Sequence, residues 1–116
     1  MINRQTRAVC TTEGDTLRAA IVGEVDHHGA KELREEIDDA ILAAMPKKVI
    51  LDLASVDFMD SSGLGIIMGR KALADKLGAG FALQNPSKRV ARIIELSGLN
   101  RIIKIESQSD GGNNNA

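Results

Sequence analysis

Asp60, Ser61 and Ser62 stand in a row in this sequence, followed at once by Gly63-Leu64-Gly65. Each of the three offers a side-chain oxygen that can accept a hydrogen bond from the free N–H groups of a first helical turn, so any of them can open a helix. Behind them, Gly63, Gly65 and Gly69 each lower the intrinsic stability of that helix by up to about 1 kcal/mol against alanine. A chain carries such residues where a missing side chain lets another backbone come close. One reading is that the helix packs tightly on its own sheet, with Gly65 and Gly69 permitting the contact. The other is that a partner or a ligand approaches the helix start. From the residues alone, both stand.

A serine nucleophile finds no support. No Gly-x-Ser-x-Gly elbow surrounds these serines. The only histidines, His27 and His28, lie far from them along the chain. A phosphate-binding loop fares no better, because no Gly-x-x-x-x-Gly-Lys-Ser/Thr pattern occurs. The expectation is a protein that is not an enzyme, with no catalytic and no cofactor-binding residue.

Asp26-His27-His28 invites a metal reading. Adjacent histidines in an extended segment point to opposite sides, and no carboxylate-histidine cluster with ligand spacing lies nearby, so no metal site is expected. Asp26 is placed to cap the first helix. Leu64 is the first large apolar side chain after the serines; core packing is its default reading and partner contact the alternative. Lys88, Arg89 and Arg92 gather on a predicted helix, as a solvated face or as an ion-pair contact with a partner. Cys10, the only cysteine, rules out an internal disulfide and a Cys-rich zinc site, and reads as a small apolar residue in a strand.

The elements that must position these residues follow from periodicity. Ala8 to Thr11 and Leu17 to Gly23 are short apolar stretches around the turn signal Glu13-Gly14-Asp15, which predicts a β-hairpin. From Ala30 to Met45 the period changes, with Leu33, Ile37, Ile41 and Ala44 spaced as on an amphipathic helix that Pro46 ends. Val49 to Leu53 reads as a central strand covered on at least one face, and Ala54 to Met59 as a loop. Ser62 to Leu77 reads as a second helix with Leu64, Met68 and Ala72 as its apolar stripe, closed by Gly78-Ala79-Gly80. Phe81 to Leu83 is a further strand. Ser87 caps a third helix, with Val90, Ile93, Ile94 and Leu96 on its apolar face and Gly98 as its stop. Ile102 to Ile105 is a last strand near a sheet edge.

The order ββαβαβαβ predicts an α/β domain with a mixed, mostly parallel sheet and an antiparallel N-terminal hairpin. In open sheets of this kind sites lie beyond the C-terminal ends of strands, which is where Asp60-Ser61-Ser62 falls. The length of 116 residues suits a single domain, and a hydrophobic share of 43% suits a self-sufficient core. Residues 1–6 read as a flexible N-terminus, 7–106 as the domain and 107–116 as a disordered tail. A net charge of -1, with two Phe and no Tyr or Trp, argues against direct nucleic-acid binding. No signal peptide or membrane-length apolar run is visible, so no membrane contact and a cytoplasmic setting are expected.

Gly23-Glu24-Val25-Asp26-His27-His28, Asp52-Leu53 and Phe58-Met59-Asp60-Ser61-Ser62-Gly63-Leu64-Gly65, together with Leu96-Ser97-Gly98-Leu99, resemble the anti-sigma factor antagonists of the STAS domain family. The resemblance runs from about Val9 to Ile105, and the Asp-His-His form looks most like the sporulation branch. It implies a single STAS domain. It also implies that an anti-sigma factor that is a serine kinase phosphorylates Ser61, the first serine of the pair. The unphosphorylated protein would then bind that kinase and release its sigma factor, and a PP2C-type phosphatase would remove the phosphate. Asp26, Asp60, Ser62, Gly63, Leu64 and Gly65 are expected to contribute to the partner-binding surface. An unmodified scaffold or interaction subunit, in a stress-signalling or lipid-trafficking complex, is the alternative. The family fold usually ends with a further helix, whereas this chain turns polar after Ile105, so that helix is expected to be short or absent.

Overall fold

The computed structural model describes residues 6–107. The expectations for the chain ends therefore fall mostly outside the described residues, on 1–5 and 108–116, as does any further helix beyond 107. The predicted hairpin forms from β1 (Arg7–Glu13) and β2 (Thr16–Val25), turning at Gly14, whose φ of +60° a side chain would resist. Next come α1 (Ala30–Ala44), β3 (Lys48–Met59), α2 (Ser61–Lys76), β4 (Gly80–Gln84), α3 (Lys88–Ser97) and β5 (Lys104–Glu106). The observed order is thus the expected ββαβαβαβ. The sheet runs β1-β2-β3-β4-β5, with β1 antiparallel to β2 and every other neighbour parallel.

One sheet face carries the core. Leu17, Ala19 and Ile21 of β2, Val49, Leu51 and Leu53 of β3 and Leu83 of β4 meet Leu33, Ile37 and Ile41 of α1, Ile66 and Ile67 of α2, and Val90 and Ile94 of α3. On the opposite face Ile50 and Ala82 are buried but stand apart from that cluster. They lie among Lys48, Arg18, Asp52, Gln84 and Glu106, which are joined by hydrogen bonds and ion pairs from β2 to β5.

The structure corrects four expectations. Residues 54–59 are not a loop but the second half of β3, paired with β2 as far as Val25↔Met59. Two register shifts, between Ala20 and Val22 and between Gly23 and Glu24, each place an extra residue on β3. Such bulges change which face the following residues meet, so the inward residues are Leu53, Val56 and Met59, three apart rather than alternating. On α2 the expected stripe of Leu64, Met68 and Ala72 is not the core side. Gly63, Ile66, Ile67, Arg70 and Ala74 are buried, while Met68 and Ala72 face solvent. Leu96 is 76% exposed and not part of the apolar face of α3. The last strand is shorter than expected: Ile102 ends a 3-10 turn (Leu99–Arg101), and β5 begins only at Lys104.

Candidate functional site

Val25 and Met59 are paired neighbours at the ends of β2 and β3, so Asp26 and Asp60 emerge side by side beyond the sheet. Asp60 N–H donates to the Val25 carbonyl at 3.3 Å, tying the start of α2 to the end of β2. Of the three candidate caps, Asp60 does the capping: its Oδ1 accepts from the Ser62 N–H at 2.7 Å, with the extended backbone a cap requires. Ser61 is then the first helical residue, and it is exposed. Ser62 is half-buried.

The glycines divide between the two readings. A Cβ on Gly63 would stand 2.2 Å from Met59 Cγ and 3.2 Å from Val25 Cγ1, so this glycine is there for close packing on the protein's own sheet. Gly65 and Gly69 would place theirs in open space, with nothing within 4 Å. The packing explanation fails for both. At 100° per residue, Ser61, Gly65, Met68 and Ala72 fall on one side of the helix. That side is open, with Met68 51% exposed. Leu64 flanks it, half-buried and in contact with the core. Met68 belongs to this outward face although the sequence reading placed it on the packing stripe, and the half-buried Gly69, for which both readings stood, lies at the margin of that face. The signal for it was an α2 apolar on more sides than its sheet can cover.

Asp26 does not cap α1. Its Oδ1 accepts from the N–H groups of His28 at 3.0 Å and Gly29 at 3.3 Å, closing the turn that precedes the helix, and Gly29 is the cap residue without a side-chain bond. His27 and His28 are exposed, their ring centroids 6.1 Å apart. Among the described residues no group of three or more His, Cys, Asp or Glu is arranged to hold a metal. Lys88, Arg89 and Arg92 are exposed on α3. Burial pushes the Cys10 thiol up, with Glu36 adding to the effect, so its reactive thiolate is disfavoured.

α2 is held against α1 by a charged clamp. Arg70, its side chain 6% exposed, brings Nε to 2.6 Å from Asp38 Oδ1 and donates from Nη2 to Oδ2 at 3.2 Å. Desolvation lowers the guanidinium pKa, and Asp38 opposes that shift. No helix among the described residues is long and apolar enough to cross a membrane.

Comparison with known proteins meets this geometry. The STAS domain pattern matches residues 8–111. Over 83 residues the chain is 39% identical to the anti-sigma F factor antagonist of Paenibacillus polymyxa, covering 72% of this chain and 71% of that protein. It is 35% identical over 96 residues to the anti-sigma-B factor antagonist of Bacillus subtilis (strain 168), covering 83% and 86%. The anti-sigma factor antagonist SpoIIAA in its unphosphorylated form shares the fold with a TM-score of 0.73 and 27% identity, over 91% of each chain. Bacillus SpoIIAA in its phosphorylated form gives a TM-score of 0.67 and 25% identity, over 91% of this chain and 95% of that one.

Proposed function

The chain belongs to the STAS domain family, and on that premise we propose that it is an anti-sigma factor antagonist whose phosphoacceptor is Ser61. It is a regulatory binding protein of the cytoplasm. Unphosphorylated, it binds an anti-sigma factor that is also its serine kinase, and the sigma factor is released. A PP2C-type phosphatase returns the phosphorylated form to the binding state. The observation that carries this reading is the division of labour at the helix start. Asp60 caps, so the exposed Ser61 hydroxyl can take a phosphate without removing a structural hydrogen bond.

The partner's surface lies over Ser61, Leu64, Gly65 and Met68 and is flanked by Asp26 and Asp60. Gly65 lets it approach the helix backbone. Ser62 and Gly63 serve from beneath: Gly63 lets α2 sit down on Met59, which sets the height of Ser61.

A phosphate brings about -1.5 to -2 charge at neutral pH. At a helix N-terminus that charge is favourable by up to about 2 kcal/mol, although Asp60 next to it takes part of the gain away. The fold therefore survives phosphorylation, and the switch is exclusion at the interface. A charge driven unpaired into a surface shaped for a hydroxyl costs about 2–5 kcal/mol, roughly 30-fold to several-thousand-fold in affinity. The test is to incubate the protein with ATP, magnesium and the anti-sigma factor, then locate the phosphate by tandem mass spectrometry. A single phosphate on Ser61 supports the reading; a phosphate mainly on Ser62, or none with any cognate kinase, refutes it.

A further inference from the structure

β3 parts company with β4 at Asp52, which is paired with Gln84 at the last β3–β4 position, and the first bulge of β3 follows at once. From there the strand runs on beside β2 alone for roughly 20 Å to the serine end of α2. A bulge leaves a backbone N–H outside the ladder, open to water or to a nearby side-chain acceptor. Here the acceptor is Asp52 itself: its Oδ1 takes the Ala54 N–H at 3.0 Å.

The same carboxylate is held from two other elements. Arg18 of β2 donates from Nη1 to Oδ2 at 2.8 Å and from Nη2 to Gln84 Oε1 at 2.5 Å. Asn85, in the turn after β4 with φ of +57°, donates its side-chain amide to Oδ1 at 3.4 Å and its own N–H to the Glu106 carbonyl at 3.2 Å. Asp52 is therefore the point where the five-stranded body grips the projecting β2–β3 arm, and its side chain is only 17% exposed. No other side chain meets all three demands. Asn keeps an acceptor for Ala54 but turns its amide toward the Arg18 guanidinium, donor against donor. Glu carries its oxygens one methylene away from the N–H two residues on.

We infer that Asp52 is a positioning residue: it locks the first bulge of β3 and so sets the pitch of the arm that presents Asp26 and Ser61. The inference rests on the reading of Ser61 as phosphoacceptor, and its test separates the two. Full-length protein carrying Asp52→Ala, Asp52→Asn or Arg18→Met is compared with wild type in two measurements. One is native-state amide exchange by mass spectrometry; the other is the kcat/KM of the anti-sigma factor kinase on Ser61.

In Asp52→Ala, exchange over residues 54–64 rises about tenfold, the equivalent of one lost hydrogen bond. Residues 49–51 and 80–83 keep their wild-type protection, and kcat/KM falls with the arm. Asp52→Asn shows a smaller rise in the same segment. Arg18→Met leaves the Ala54 acceptor in place and keeps exchange over 54–64 within about twofold of wild type. If Asp52→Ala does not fold, Asp52→Asn carries the test. Unchanged exchange over 54–64, or a rise spread evenly over the sheet, overturns the inference. A wild-type chain that no cognate kinase phosphorylates overturns the functional reading instead, whatever the exchange pattern.

Discussion

Replacing Gly65 by alanine moves stability and binding in opposite directions. The added Cβ meets nothing within 4 Å, and Gly65 does not occupy the positive-φ region, so the folded state accepts the methyl group without strain. An exposed helix-interior glycine costs roughly 0.5–1 kcal/mol relative to alanine, mostly through the freedom of the unfolded chain. Gly65→Ala therefore stabilises the protein by about 0.5–1 kcal/mol, which raises Tm by roughly 2–8 °C in a domain of this size. The same methyl group stands on the outward face beside Ser61, where it props the partner off the helix. Overpacking at a fitted contact costs about 1–3 kcal/mol, so affinity for the anti-sigma factor falls by roughly 5-fold to 150-fold.

Gly63→Ala provides the contrast. Its Cβ would stand 2.2 Å from Met59 Cγ, so Met59 must move, and stability drops by about 1–3 kcal/mol. Thermal melts of both variants, with titration calorimetry against the anti-sigma factor, check the pair. A Gly65→Ala protein that melts lower than wild type refutes the geometry. One that melts higher and binds equally well refutes the claim that a partner comes close to this glycine.

Ser61→Asp weakens partner binding by at least about 30-fold while Tm changes by less than about 2 °C; a variant that loses its fold instead contradicts exclusion as the mechanism. Ser61→Ala still binds the anti-sigma factor but takes no phosphate, as an intact-mass measurement after kinase treatment would read. Asp38→Ala strands the Arg70 guanidinium in the α1–α2 contact and costs about 2–3 kcal/mol in urea unfolding, the partly exposed Asp38 keeping the loss below that of a fully buried pair. Hydrogen bonds from Gln84 and then Lys48 hold the Glu106 carboxyl below the ordinary glutamate range. A depressed carboxylate contributes stability that is present above its unfolded pKa and lost as the pH falls through the folded one. Glu106→Gln therefore lowers stability at pH 7 and flattens the acid loss below about pH 4.3, measured by urea melts across that range.

The parts of the fold that local chemistry dictates were legible in the sequence. Gly14 marked the hairpin, Leu33, Ile37 and Ile41 marked α1, and Ser87, whose hydroxyl accepts from the Val90 N–H at 3.1 Å, marked the start of α3. The second half of β3 was hidden because two bulges space its inward residues by three, which breaks the alternation that marks a strand. The buried side of α2 was hidden because apolar residues lie all round its start. Leu64 and Met68 form as regular a stripe as Ile67 and Ala74, and only the position of the sheet decides between them. The start of α2 was legible from Asp60, Ser61 and Ser62, of which Asp60 proves to be the cap, and the proposal of Ser61 as phosphoacceptor rests on the family pattern. The different roles of Gly63 and Gly65 were not legible, since the same residue type serves contact with Met59 in one case and an open surface in the other.

The central claim is that one phosphate on Ser61 refuses the partner while the fold stays as it is. The direct measurement is the affinity of the anti-sigma factor for protein carrying a stoichiometric phosphate on Ser61 and for the unmodified protein, by titration calorimetry, with melts of both. The account predicts at least about 30-fold weaker binding of the phosphorylated form, with Tm equal to or slightly above that of the unmodified one. Equal affinity of the two forms, or a phosphorylated protein that has lost its cooperative melt, would contradict it.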